Sequence, residues 1–286
     1  MNFLKSSGYD MSKDNIRVLT DDPDNSPDCM PTRANIINGF KWLREGCNEG
    51  DSLILHYSGH GGSIKDTDGD EEDGMDETLI PVDYKTSGII VDDDVHDILC
   101  RNLPKGVRLT AIMDCCHSES MLDLPYTYSI SGDLQIIEND LSAGISKIVG
   151  SGVKYILSGN KQKAIKDLTA GVKMLLNGGG SKGKNKNKSA ARQKTIETRT
   201  TQADCISFSG CKDSQTSADA TIKGQATGAM SYALIKILKS ANGNSNMTYT
   251  ELLSKMRQIL DNGKFTQIPM MSAGRKLDLN SDTFSF

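Results

Sequence analysis

Residues 107–118 read VRLTAIMDCCHS, an apolar run that ends in an aspartate, two adjacent thiols and a histidine. A short apolar run over Val107–Met113 predicts a strand buried on both faces, and such strands belong to parallel sheets covered by helices. Moving upstream, residues 52–62 read SLILHYSGHGG. This too is a β-branched and aromatic run, stopped by Gly59 and followed by His60. Open α/β sheets bind and react beyond the carboxyl ends of their strands. Two strands that both end in reactive side chains, His60 and Cys116, therefore mark the candidate site.

The flanking segments alternate in the same way. Residues 16–19 (IRVL) read as a short strand. Residues 31–47 read as a helix that Thr32 caps, with Ile36, Ile37, Phe40 and Leu43 on one face. Residues 79–84 read as extended, and residues 92–103 as a helix whose acidic start suits the helix dipole. A further strand is expected over 205–209, and helices over 228–239 and 249–260. The pattern predicts a three-layer α/β/α sandwich around a mostly parallel central sheet.

Composition narrows the function classes. The chain has 286 residues, 33 Lys and Arg against 37 Asp and Glu, and a net charge of −4. That balance argues against a general nucleic-acid binder. The longest apolar stretches, such as Leu53–Leu55, are too short to cross a bilayer, and the first residues lack a signal-peptide core. Seven cysteines without a CxxC pair point to reduced thiols in a cytosolic or nuclear setting.

The balance hides two opposite blocks. Residues 66–76 read DTDGDEEDGMD, with seven acids and no base. Residues 177–199 read NGGGSKGKNKNKSAARQKTIETR, with seven Lys or Arg and one Glu. The basic block is poor in apolar residues and is expected to be a disordered connector between a larger piece, 1–176, and a smaller one, 200–286.

A cysteine nucleophile needs its thiolate, and a histidine at a neighbouring strand end would take the proton and later return it to a leaving amine. His60 precedes Cys116 by 56 residues. His56 and His60 are four apart, but at a strand end this spacing does not make a helical metal pair. His56 reads as a packed histidine, His96 as a surface or helix residue, and Cys115 as facing away from Cys116.

The motifs HYSGHGG (56–62), DGDEEDGMDETLIPVDY (68–84), VDDD (91–94), DCCHS (114–118) and SGCKDSQTSADA (209–220) resemble those of type I metacaspases of the fungal kind, caspase-fold cysteine endopeptidases. The resemblance runs from about Asn15 to the C-terminus, outside the connector and the stretch before it. It implies a dyad of His60 and the nucleophile Cys116, with an oxyanion hole from the backbone N–H groups of Gly61 and Cys116. It implies cleavage after Arg or Lys, with Asp114 among the carboxylates of the S1 pocket. It also implies a calcium ion on Asp76, Asp92, Asp93 and Asp123, a zymogen cut in its own connector, and a monomer. Protein or peptide substrates would be the partners. An EF-hand over Asp66–Glu77 fits less well, because its sixth position is Glu71 rather than glycine.

Two departures from the family pattern set further expectations. The pattern has an earlier strand and a second S1 aspartate in a GCxND-like motif upstream of the part matching Asn15, so the chain is expected to be N-terminally truncated and to lack its first strand. Glu119 stands where the family has glycine, and its charge would raise the pKa of the nearby thiol. The alternatives are a catalytically impaired caspase-like protein that binds or regulates, and a calcium-binding protein without catalysis.

Overall fold

The computed structural model describes residues 2–69, 71, 74–115, 121–131, 135–138, 184–210, 219–222, 225–240, 247–265 and 267–285. Its centre is a six-stranded sheet in the order Ser52–Ser58, Arg108–Asp114, Asp204–Ser209, Met270–Ala273, Tyr126–Ser131, Gln135–Glu138. The first three strands are mutually parallel, and the remaining pairings are antiparallel. The Tyr126–Ser131 strand follows a reversed neighbour, so four of the six strands run the same way. The mostly parallel sheet expected from the sequence is observed, with antiparallel strands gathered toward one side.

Side chains alternate between two cores, as strand geometry requires. Leu109, Ala111 and Met113 face a core shared with Ile36, Phe40, Val95 and Leu99. Ile112, Ile206 and Phe208 face a second core with Leu234, Leu238, Leu252 and Met256. Helices Arg33–Arg44 and Asp92–Leu99 thus cover one face, and Ala229–Ser240 and Tyr249–Asn262 the other. Residues from both sides of the basic block build the same sheet.

Local chemistry accounts for the element boundaries. The Thr32 hydroxyl accepts the Asn35 N–H at 3.3 Å and starts the first long helix. Thr248 and Glu251 form a reciprocal capping box on Tyr249–Asn262.

Three expectations need correction. Residues 16–19 form no strand: Leu19 leans on the core and the Arg17 guanidinium sits 4.7 Å from the centre of the Trp42 ring, but no backbone ladder forms. This segment lines a cavity of about 760 Å³ beside the Ser52–Ser58 strand, together with Phe40, Leu53 and Leu55. The extended segment expected over 79–84 lies earlier, at Met75–Leu79. The connector is not irregular throughout, since Lys184–Arg199 is helical. Its carboxyl end is anchored by Arg199, which is buried and surrounded by carboxylates. Such neutralisation gives a polar helix a reason to form that its own apolar content does not supply.

Candidate active site

The parallel register sets Ser58 opposite Asp114. The chain therefore leaves two neighbouring strands side by side, at Gly59–His60 on one and at Cys115 on the other. Two backbone anchors hold the His60 corner. The Tyr57 hydroxyl donates to the His60 carbonyl at 2.9 Å, and the Ile80 N–H donates to it at 3.1 Å. A Cβ at Gly59 would stand 2.9 Å from the Tyr57 hydroxyl, so only glycine lets the tyrosine fold back under the turn. Burial raises the Tyr57 pKa, aided by the nearby Cys115 thiol, so the hydroxyl keeps the proton it donates. The His60 side chain is exposed at the sheet edge. Gly61 opens the Gly61–Lys65 strand and pairs with Leu79.

Cys115 is fully buried and unoxidised. It faces the core that Met113 and Leu122 also line. Cys116 lies outside the described residues, as does Glu119.

Asp114 is 5 % exposed. Its Oδ2 accepts the Ser231 N–H at 2.8 Å, at the start of helix Ala229–Ser240, where the dipole favours a carboxylate. Its Oδ1 is buried and has no hydrogen-bond partner among the described residues. Gly228 makes this approach possible, since a Cβ there would come within 1.8 Å of Asp114 Oδ2. Ser231 also stands 3.1 Å, through its hydroxyl, from His56 Nε2. Sequence reasoning singled out His56 and Asp114 but missed Ser231 and Gly228. Their only trace in the sequence is their place in the first turn of the helix predicted over 228–239, which Gly228 opens.

The four residues expected to hold calcium surround the start of helix Asp92–Leu99, but they do not form one set. Asp76, Asp92 and Asp123 are at most 5 % exposed. Asp92 Oδ2 accepts the Glu77 N–H at 2.7 Å. Burial pushes the Asp92 carboxyl up to about 7, and the Asp76 charge adds to the rise, while contacts from Glu77 and the Asp93 N–H oppose it. Oxygens of Glu71, Glu77 and Asp92 lie within 4.8 Å of one another. Two ligands on one calcium ion, each at about 2.3–2.6 Å, are separated by no more than roughly 5 Å, so these carboxylates fit a shared cation. In the sequence Glu71 and Glu77 stand out only as positions 6 and 12 of an EF-hand-like loop.

The other half of the expected set, Asp93 and Asp123, is ion-paired to one arginine. Arg199 Nε lies 2.6 Å from Asp123 Oδ2, its Nη2 pairs with Asp93, and its Nη1 lies 3.6 Å from Asp97. Asp123 takes up this position with φ = 46°, a left-handed conformation that aspartate tolerates better than most residues. His96 is buried rather than at the surface, and its Nδ1 donates to the Leu122 carbonyl at 3.0 Å. Burial lowers its pKa to about 4.

A family model described as the metacaspase, peptidase C14 domain matches residues 1–125. Metacaspase-1A of Neurospora crassa is 43% identical over 274 residues, covering 95% of this chain and 56% of the relative. Metacaspase-1 of Cryptococcus neoformans is 47% identical over 272 residues, with coverage of 95% and 56%. Metacaspase-1 of Pyricularia oryzae is 45% identical over 285 residues, with coverage of 99% and 67%. The chain spans between about half and two-thirds of the length of these curated relatives. Among the described residues, no helix is long and apolar enough to cross a membrane.

Proposed function

The chain belongs to the metacaspase family of cysteine peptidases, and from that premise we propose that it is a calcium-dependent endopeptidase that cleaves after Arg or Lys and cuts its own connector. The observation that carries this reading is the register of Ser58 with Asp114, which brings the chain out of two adjacent parallel strands at His60 and one residue before Cys116. In the proposed reaction the Cys116 sulfur attacks the scissile carbonyl carbon. His60 takes the thiol proton and returns it to the departing amine, and water then splits the thioester. The N–H groups of Gly61 and Cys116 would receive the negative charge that builds on the carbonyl oxygen, and each such donor is typically worth about 10²–10³ in rate.

Asp114 supports a basic P1 residue. A buried carboxylate oxygen without a partner among the described residues is costly by itself and favourable once a guanidinium or ammonium group reaches it. Calcium is supported by Glu71, Glu77 and Asp92, one half-buried and two buried carboxylates whose oxygens lie within reach of one ion, of which only Asp92 belongs to the set that the resemblance implies. When bound, the ion would supply positive charge among Asp76, Asp92, Asp93 and Asp123, clamping the acidic loop and the segment after Cys116 against one helix start. A cytosolic or nuclear location and a monomeric state complete the proposal.

The test is cleavage of fluorogenic peptides that differ only at P1, in calcium and in chelator. Arg and Lys peptides should be cut in calcium, and Cys116→Ala and Asp92→Ala/Asp93→Ala should each remove that activity. Equal cleavage of an Asp-P1 peptide would defeat the specificity, and equal rates in chelator would defeat the calcium requirement.

A further inference from the structure

The start of helix Ala229–Ser240 is capped from a distant part of the chain. Ser231 is the third residue of that helix, so its N–H has no carbonyl within the helix to meet. The residue before the helix is Gly228, which has no side chain to supply an acceptor. The acceptor comes from the Arg108–Asp114 strand instead, since Asp114 Oδ2 takes the Ser231 N–H at 2.8 Å. One oxygen of the carboxylate proposed to bind P1 is therefore fixed by where this helix begins. The other, Oδ1, is buried and has no hydrogen-bond partner among the described residues, which leaves it for the substrate.

Ser231 has a second link. Its hydroxyl lies 3.1 Å from His56 Nε2. In the parallel register His56 pairs with Ile112 and Ser58 with Asp114. Residues two apart on a strand share a face, so His56 and Asp114 both stand on the side that helix Ala229–Ser240 covers. Ser231 is only 3 % exposed. His56, expected from the sequence to be packed, is instead exposed along the cavity beside its edge strand. A buried hydroxyl that meets a partner on a second strand fixes its helix start against both strands at once. Ser231 thus joins three elements: its own helix, the strand that leads to His60, and the strand that leads to Cys116.

We propose that His56 and Ser231 are positioning residues for the P1 pocket. His56 holds the Ser231 hydroxyl, the Ser231 N–H holds Asp114 Oδ2, and Oδ1 is thereby set toward the basic side chain of the substrate. Neither residue takes part in the chemistry at Cys116. Hydrogen bonds between a carboxylate and a guanidinium or ammonium group are directional, so a carboxylate free to turn binds the cation less well. The inference rests on the reading of Asp114 as a determinant of cleavage after Arg or Lys.

The experiment uses the full chain and measures kcat and KM for Arg, Lys and neutral P1 peptides in calcium. The parent is compared with Ser231→Ala, His56→Leu, His56→Gln and the double variant Ser231→Ala/His56→Leu. The rate at which iodoacetamide labels Cys116, located by mass spectrometry, reports on the nucleophile through a small neutral reagent that needs no P1 pocket. Ser231→Ala removes the hydroxyl and keeps the backbone N–H. Ser231→Ala and His56→Leu should each raise KM for Arg and Lys peptides about tenfold, with kcat and labelling within about twofold of the parent. The double variant should be no worse than either, because the two act through one contact. His56→Gln, whose amide can still reach the Ser231 hydroxyl, should bring KM back to within about threefold of the parent. Unchanged KM in either single variant would overturn the positioning role and leave the basic-P1 reading standing. So would a fall in labelling alongside kcat, or a His56→Gln no better than His56→Leu, because the loss would then be one of packing. A parent that cuts no basic-P1 peptide, or cuts neutral ones equally, would overturn the basic-P1 reading and the positioning role with it. If His56→Leu fails to fold, Ser231→Ala decides by the same measurements.

Discussion

At the residue scale, adjacent thiols separate chemistry from packing. Cys115 is buried in a core, whereas Cys116 is the proposed nucleophile. Cys116→Ala should abolish peptide cleavage. Cys115→Ala should retain much of the turnover and lose stability instead, which active-site titration combined with thermal melts will separate. His60→Ala should be nearly as damaging as Cys116→Ala, and the double variant no worse than either, because groups that act as a unit do not lose activity additively. Gly228 gives a second test, because a Cβ there would overlap Asp114 Oδ2. Gly228→Ala should displace the carboxylate from the Ser231 N–H, cost about 1–3 kcal/mol in denaturant unfolding, and weaken cleavage after Arg and Lys together. Unchanged stability would show that Asp114 has room to move.

At the element scale, helix termini and helix interiors should respond in opposite directions. Thr248→Ala removes one half of a capping box and should destabilise the fold by about 1 kcal/mol. Gly39 lies inside the Arg33–Arg44 helix, and a Cβ there would meet nothing within 4 Å. Gly39→Ala should therefore stabilise by about 0.5–1 kcal/mol, through helix propensity alone. Chemical denaturation of both variants checks the pair, and a destabilised Gly39→Ala would contradict the open space beside that helix. The Lys184–Arg199 helix differs from these elements because its carboxyl end is held by ion pairs, so salt should weaken it more than the capped helices.

At the scale of the whole molecule, buried titrating groups make stability depend on pH. His96 is neutral in the fold, since its Nδ1–H donates to Leu122 and its pKa lies near 4 against an ordinary value of 6.5. Below about pH 6.5 the unfolded chain gains a proton there that the folded chain refuses. Stability from this group therefore falls as pH drops from about 6.5 to about 4, by roughly 3 kcal/mol over the interval. Asp92 works in the other direction. With its folded pKa raised to about 7, it favours the fold at low pH, and that contribution is lost as pH rises toward and through 7. The two are separated by comparing the parent chain with His96→Gln in urea from pH 7.5 to 4.5. The variant should lose the acid-side decline that belongs to His96, and parallel curves for the two chains would remove His96 from the account.

Local sequence determined the elements whose chemistry is local. SLILHYS marked the Ser52–Ser58 strand, Thr32 and the apolar spacing marked Arg33–Arg44, and the acidic start marked the helix at Asp92. Strand-end residues brought His60 and Cys116 forward as one candidate site, and the motif resemblance added Asp114 and gave all three their roles. Tertiary structure alone decided what depends on partners far along the chain. Residues 16–19 have strand-like composition, yet composition supplies no ladder partner, and among the described residues none pairs with them. The Lys184–Arg199 helix is too polar to reveal itself by periodicity, and its anchors, Asp68, Asp93 and Asp123, lie roughly 75 to 130 residues upstream. Charge in a sequence has a sign but no address. Only the fold brings Arg199 to the carboxylates that would otherwise repel one another, and Ser231 and Gly228 to Asp114, because burying a charge requires a counter-charge or a donor at contact distance.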